Sequence, residues 1–234
     1  MRNTLTEQLK EYARELELDF VGCCSVDRFD PAPEDRRPRV YLEDAHSVVS
    51  IGYRLNSAPL QGLPASRSAY MLEHDYANRH LDRCSHKLAR FLESRGFAAL
   101  GFDTGAGFYH QAGKTPERFA GDISHKHAAV ACGLGQFGVN NLVLSPRWGP
   151  RIRLASVLTS AELARDLAAR ESLCADCDAC VRACPVGTLD GWEGAHDPQT
   201  GWRIDKQKCY DYIFTTLKGQ RCGLCIKACP VGPG

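Results

Sequence analysis

Eight of the twelve cysteines in this 234-residue chain lie between Cys174 and Cys229, at spacings that point to metal chemistry. Cys174, Cys177, Cys180 and Cys184, followed by Pro185, read C-x2-C-x2-C-x3-C-P, a run that holds [4Fe–4S] clusters. Three thiolates on one tight turn wrap a face of a cubane. The fourth, starting the next helix, points away toward a second cluster. The stretch CGLCIKACPVG (222–232) repeats CDACVRACPVG (177–187) almost position for position. Aligned on their C-P pairs, Cys222, Cys225 and Cys229 match Cys177, Cys180 and Cys184, while Gly219 stands in the slot of Cys174. Cys209, upstream, can supply the missing thiolate. Crossed ligation then gives one set of Cys174, Cys177, Cys180 and Cys229 and another of Cys184, Cys209, Cys222 and Cys225. Zinc ribbons also use C-x2-C pairs, but not a triple with a trailing C-P twice over. Two [4Fe–4S] clusters are the expectation, close enough to exchange electrons.

Other signals are weaker. Gly133, Gly135 and Gly138 spell G-x-G-x-x-G, but a dinucleotide site needs a strand before it, a helix after it and an acid about 20 residues on. A helical pattern precedes these glycines, so a tight backbone turn against another ligand is expected instead. Asp44-Ala45-His46 begins the D-x-H-x-x-G pattern of a histidine-ligated corrinoid, yet Val49 stands where the glycine belongs. His125 and His127, two apart on a helix, face different sides and are expected to be polar or pocket-lining residues, with His110 nearby. Cys23, Cys24, Cys84 and Cys132 fall in strand or helix patterns, as small buried residues do. Arg147, Arg151 and Arg153 cluster on one turn and strand, placed either to offset cluster charge, to grip an anion, or to face solvent.

These groups need a scaffold, and the composition allows one. Hydrophobic residues make up 44% and charged residues 24%, which is ordinary for a folded chain and excludes wholesale disorder. Twenty-nine basic against twenty-eight acidic residues argue against a strongly basic nucleic-acid binder. No apolar run approaches the roughly 18–20 residues needed to span a bilayer, and MRNTLTEQLKEYAREL lacks the apolar centre of an export signal. The expectation is a cytoplasmic protein that does not engage a membrane. Leu5, Leu9, Tyr12 and Leu16 mark a helix, and 19–26 and 46–55 read as strands. A helix from about Tyr70 to Arg95 stops at Gly96, followed by a strand over 97–103, a helix over 124–132, and strands in NLVLSP and RIRLASVLT. A short charged helix, AELARDLAAR (161–170), leads into a tail too poor in apolar runs to fold without metal. The organisation expected is an α+β chain: a mixed α/β layer domain over 1–160, then a small domain with two [4Fe–4S] clusters over 161–234.

This combination resembles the epoxyqueuosine reductases and, more distantly, the corrinoid reductive dehalogenases. AVACGLGQFGVNNLVLSPRWGPRIRLASVLT, the two cysteine runs, and the N-terminal VGCCSVD, HSVVSIGYRL and HDYANRHL carry the likeness, which covers nearly the whole chain. The resemblance implies a nitroreductase-like first domain holding cobalamin against a two-cluster ferredoxin-like domain, whose electrons bring cobalt to Co(I). It also implies the crossed cysteine sets derived above. The cobalamin would be base-off, with the Gly133–Asn141 turn against the corrin: Gly133, Gly135 and Gly138 for close approach, Gln136, Asn140 and Asn141 for the propionamide rim. The family places an acidic proton donor in D-T-x-P-x-x-E-R. Here FDTGAGF keeps only Asp103 and Thr104, so Asp103 and Asp122 are both candidate catalytic acids. The family's tRNA enzymes continue after the second C-P with a helical-repeat module, whereas this chain stops five residues after Cys229. The partners expected are a low-potential electron donor and a small-molecule substrate or partner redox enzyme, with tRNA disfavoured. The alternatives are a cobalamin-free electron-transfer protein and, more weakly, an iron–sulfur sensor.

Overall fold

A computed structural model describes residues 4–105, 121–167, 172–174 and 176–232. Its elements run α1 (Leu5–Glu15), β1 (Phe20–Ser25), α2 (Pro38–Tyr41), β2 (Ser47–Arg54), α3 (Ser57–Gln61), α4 (Arg67–Glu93), β3 (Ala99–Phe102), α5 (His125–Ala131), β4 (Gln136–Phe137), β5 (Val143–Leu144), β6 (Ile152–Thr159), α6 (Ala179–Arg182), α7 (Lys206–Asp211) and α8 (Leu224–Lys227). They gather into two compact units. The first comprises 1–53, 78–134 and 153–169; the second comprises 54–77, 135–152 and 170–234. The units interleave in sequence, which differs from the expected consecutive division at 160/161.

The first unit is built on a sheet of order β1-β2-β6-β3, with β1 antiparallel to β2 and β3 antiparallel to β6. Alternate residues of a strand face opposite sides, and the cores follow that period. Cys23, Val49, Ile51, Ala155 and Val157 pack with Leu9 and Ala13 of α1 and Leu81, Leu88 and Leu92 of α4. Cys24, Val48, Phe102 and Leu158 pack on the other side with Ala128 of α5 and Cys132 just after it. The result is three layers, helix–sheet–helix. A capping box starts α1: Thr4 Oγ1 accepts from the Glu7 N–H, and Glu7 Oε2 accepts from the Thr4 N–H at 2.7 Å. Gly96, at φ 87°, closes the turn after α4.

The expected helix over 161–170 is absent across its described part, 161–167. The backbone there is committed elsewhere. The Leu163 N–H donates to Ser47 Oγ at 3.0 Å, Ala164 to Thr6 Oγ1 at 2.8 Å, and Asp166 to the Cys23 carbonyl at 2.9 Å. Asp166 also takes Lys10 Nζ at 2.6 Å and the Cys23 N–H at 2.9 Å. With its N–H groups bonded to other elements, the segment stays extended.

The second unit shows why the Cys-rich tail does not stand alone. Val139, Cys180 and Leu189 form one small buried cluster in it, with Trp192, Trp202 and Ile204 packed against them. The β4–β5 hairpin is stitched to the loop after α6. The Phe137 N–H donates to the Pro198 carbonyl at 2.8 Å, His196 Nε2 to the Phe137 carbonyl at 2.8 Å, and Trp202 Nε1 to the Val139 carbonyl at 2.9 Å. A tail with few apolar residues thus completes its core with a hairpin from earlier in the chain.

Candidate iron–sulfur centre

The cysteine-rich segments fold into turns and one-turn helices, so their thiols project from closely spaced positions. Cys177 precedes α6, Cys180 lies on it and Cys184 follows it; Cys209 sits on α7; Cys222 precedes α8, Cys225 lies on it and Cys229 follows it. Electrostatic neighbours show which thiols meet. Burial pushes Cys180 up to about 11, and Cys174, Cys229 and Cys177 add to the rise. Burial also raises Cys229, whose thiol neighbours are Cys174 and Cys177. Burial raises Cys209, helped by Cys222 and Cys184 and opposed by Arg221. The Cys225 thiol is raised by burial and then by Cys222, Cys209, Cys180 and Cys184, although the residue keeps part of its surface exposed. Two neighbourhoods of four thiols result, with Cys225 and Cys180 reaching from one toward the other. Cysteines this reluctant to ionise lose their protons when a metal takes the proton's place.

Cys174, Cys177, Cys180 and Cys229 line one cavity of about 160 Å³, closed by Asn140, Leu144, Leu173, Pro230 and Val231. Four soft thiol donors around an otherwise largely apolar hollow fit a cubane. Among the described residues, no group of three or more His, Cys, Asp or Glu side chains is arranged to hold a single metal ion.

Two arginines hold cysteine-bearing segments in place through contacts that no local pattern marks. Arg151, only 8% exposed, donates from Nη2 to the Cys229 carbonyl at 2.9 Å and from Nη1 to the Val231 carbonyl at 3.0 Å. Arg67 Nη1 donates to the carbonyls of Cys222 at 2.9 Å and Arg221 at 3.2 Å. The partners lie some 80 and 155 positions away in the chain, beyond the reach of any local pattern. The three clustered arginines therefore have separate fates. Arg151 is buried in carbonyl bonds, Arg153 Nε donates to Asn78 Oδ1 at 2.7 Å, and Arg147 lies exposed with its guanidinium 4.8 Å from the Trp148 ring.

The residues of the Gly133–Asn141 turn are mostly inside. Gly133, at φ 76°, ends the turn after α5, and a helix rather than a strand precedes it. A methyl at Gly135 would run into the Leu144 carbonyl, and one at Gly138 would meet the Leu144 side chain at 2.8 Å. The close approach these glycines permit is thus to their own hairpin. Gln136, Asn140 and Asn141 are 1%, 5% and 7% exposed, and Asn140 Oδ1 accepts from the Leu142 N–H at 3.1 Å. The turn by itself offers a corrin ring little open cradle.

In the first unit, Asp103 Oδ1 accepts from the Gly105 N–H at 2.9 Å, and Asp122 is half-buried. His125 is buried between Ser156 Oγ, 2.9 Å from Nδ1, and the Asp103 carbonyl, 2.6 Å from Nε2. Nε2 therefore carries the proton and Nδ1 accepts from the serine. His127 turns elsewhere, to Ser124 Oγ at 2.7 Å; His110 lies outside the described residues. His46, at the edge of β2, is exposed. Cys23, Cys24, Cys84 and Cys132 are all buried, and Cys24 and Cys132 bring their sulfurs to 3.3 Å.

Burial lowers His125 to about 4, more than its bond to Asp103 raises it. Unfolded, it titrates near 6.5. The unfolded chain therefore takes a proton that the folded one refuses. This stability is present above pH 6.5 and lost as pH falls toward 4, a total of about 3 kcal/mol. His125→Gln is expected to be less stable than the parent at neutral pH, with the gap closing between pH 6.5 and 4. Parallel denaturant titrations measure the difference; a gap independent of pH would contradict it.

Comparison with known proteins adds five findings. Residues 173–232 match the family model of the 4Fe-4S dicluster domain. Epoxyqueuosine reductase of Bacillus subtilis is 24% identical over 92% of this chain and 56% of its own length. A solved epoxyqueuosine reductase from that organism matches at TM-score 0.65 and 23% identity, over 98% of this chain and 66% of that one. The tetrachloroethene reductive dehalogenase of Desulfitobacterium hafniense is 28% identical over 68% of this chain and 28% of its own length. A solved reductive dehalogenase, described in terms of B12-dependent dehalogenation, matches at TM-score 0.77 and 22% identity, over 97% of this chain and 32% of that one. The structural matches show a shared fold. The chain spans about half or less of these curated relatives. No helix among the described residues is long and apolar enough to cross a membrane.

Proposed function

We propose that this homologue of the epoxyqueuosine reductases and reductive dehalogenases is a cytoplasmic two-cluster iron–sulfur reductase, passing single electrons to a base-off corrinoid. The observation that carries the redox half is the division of eight thiols into two groups, one of them around a cavity. Cys174, Cys177, Cys180 and Cys229 would hold the first [4Fe–4S] cluster; Cys184, Cys209, Cys222 and Cys225 would hold the second. Such clusters supply one-electron chemistry at potentials set by burial and by hydrogen bonds around the sulfurs. The chain's own contribution is positional. Arg151 and Arg67 fix the Cys229 and Cys222 segments, and Leu144, Leu173 and Val231 keep the first hollow largely apolar.

In this reading the three-layer unit is the nitroreductase-like domain of the family. Asp103, whose carbonyl is held by His125, or Asp122 donates the proton that a reduction consumes. The net charge of +1 favours a small substrate or a partner redox enzyme over tRNA, whose tight binding takes many phosphate contacts. The corrinoid part of this reading rests on the relatives alone. The burial of Gln136, Asn140 and Asn141 favours a second reading, a cobalamin-free electron carrier serving another enzyme.

One experiment separates the two. The chain is reconstituted anaerobically with iron, sulfide and hydroxocobalamin, desalted, and its spectrum recorded. Retention of about one corrinoid per chain, unchanged in His46→Ala, supports the base-off reductase. Iron without corrinoid supports the electron carrier.

A further inference from the structure

The two cysteine copies carry opposite charge. Residues 172–200 hold five acids (Asp176, Asp178, Asp190, Glu193, Asp197) against one base, Arg182. Residues 201–232 hold six bases (Arg203, Lys206, Lys208, Lys218, Arg221, Lys227) against two acids, Asp205 and Asp211. A chain of net charge +1 thus concentrates positive charge around one half of its cysteine domain. Five of the six bases are exposed, and Lys208 and Arg221 directly adjoin Cys209 and Cys222 in the chain. The sixth, Arg221, lies with its guanidinium 5.7 Å from the Phe214 ring, which itself packs on Tyr210 at 4.5 Å. Lys208 Nζ pairs with Asp205 at 3.7 Å, and its side chain stays 54% exposed.

The thiols differ in the same direction. Cys184, Cys209, Cys222 and Cys225 all keep part of their surface exposed, as Cys174 and Cys177 do, whereas Cys180 and Cys229 are buried. The set in which no cysteine is fully buried is the one with basic residues beside it. Electrons must arrive where the protein surface comes closest to a redox centre, and charge at a rim steers the encounter.

We infer that the basic surface of residues 203–227 is the docking site of a small acidic electron-transfer protein. The inference rests on the two-cluster reading above and adds the partner's chemistry and its place of approach. Arg203, Lys208 and Lys218, all exposed, are the surface's accessible cations. Arg221 adds a cation over the packed Phe214 and Tyr210 rings.

The test measures binding, with an iron count as its control. The full chain is reconstituted anaerobically, its iron is counted, and its affinity for a strongly acidic flavodoxin is measured from low to high salt. The Kd should rise about tenfold or more with salt, and by about tenfold at low salt in Arg203→Glu/Lys208→Glu/Lys218→Glu. The corresponding triple Gln variant should fall between, which separates lost attraction from misfolding. A loaded chain that does not bind flavodoxin at low salt would overturn the inference, as would variants that bind like the parent. So would tighter binding of an RNA stem-loop that the same variants abolish, since the face would then be a phosphate-binding one. A chain that takes up no iron overturns the underlying reading instead, and the iron count identifies that failure separately.

Discussion

Replacing Cys209 by alanine is expected to halve the iron of the anaerobically reconstituted chain, from about eight to about four atoms, as the loss of one cubane of four irons requires. Cys209 stands outside both C-x2-C runs, yet its thiol neighbours are Cys222 and Cys184, one from each. Neither run can close the second set without it, because Gly219 occupies the aligned slot. Cys174, Cys177, Cys180 and Cys229 line their own cavity and should keep their cluster. The variant should therefore retain one EPR signal of a reduced [4Fe–4S] centre and lose the other. Iron content and both signals unchanged would show that the ligand sets are drawn wrongly.

The second large effect is expected at Arg151. Its buried guanidinium satisfies the carbonyls of Cys229 and Val231, and Arg151→Met would leave both acceptors without that donor in a space methionine fills. Loss of a charged donor to buried carbonyls should destabilise the chain by about 3 kcal/mol. The damage should also be selective. Cys229 closes the set around the cavity, so iron should be lost there while the set containing Cys209 stays loaded. Arg151→Lys should rescue only in part, since an ammonium lacks the planar fork that reaches two carbonyls. Unfolding midpoints and iron counts on the three proteins check this; equal values would reduce Arg151 to a surface-like cation.

The sequence made some features legible and not others, and the difference is one of range. The amphipathic period of Leu5, Leu9 and Tyr12 marked α1, and Gly96 marked the end of α4, because both are local signals. The cysteine runs were legible because cubane ligation imposes spacing directly. The segment 161–167 misled because its composition favours helix, while Ser47, Thr6 and Cys23 claim its N–H groups. The interleaved units escaped for a related reason: Phe137 and Val139 find their partners at Pro198, His196 and Trp202, some 60 residues later. The glycines of GLGQFG follow a helix, and Gly133 takes a positive φ at its end. Their neighbours proved to be Leu144 and its carbonyl, a contact that no spacing rule encodes.

The central claim is that eight thiols of this chain hold two [4Fe–4S] clusters side by side. It is tested most directly by quantifying iron and acid-labile sulfide in the anaerobically reconstituted protein and recording the EPR spectrum of its fully reduced form. The account predicts about eight irons and eight sulfides per chain, as two cubanes require, with the two reduced centres broadening each other's signals. A chain that saturates at four irons, or that binds zinc and no sulfide, would contradict it.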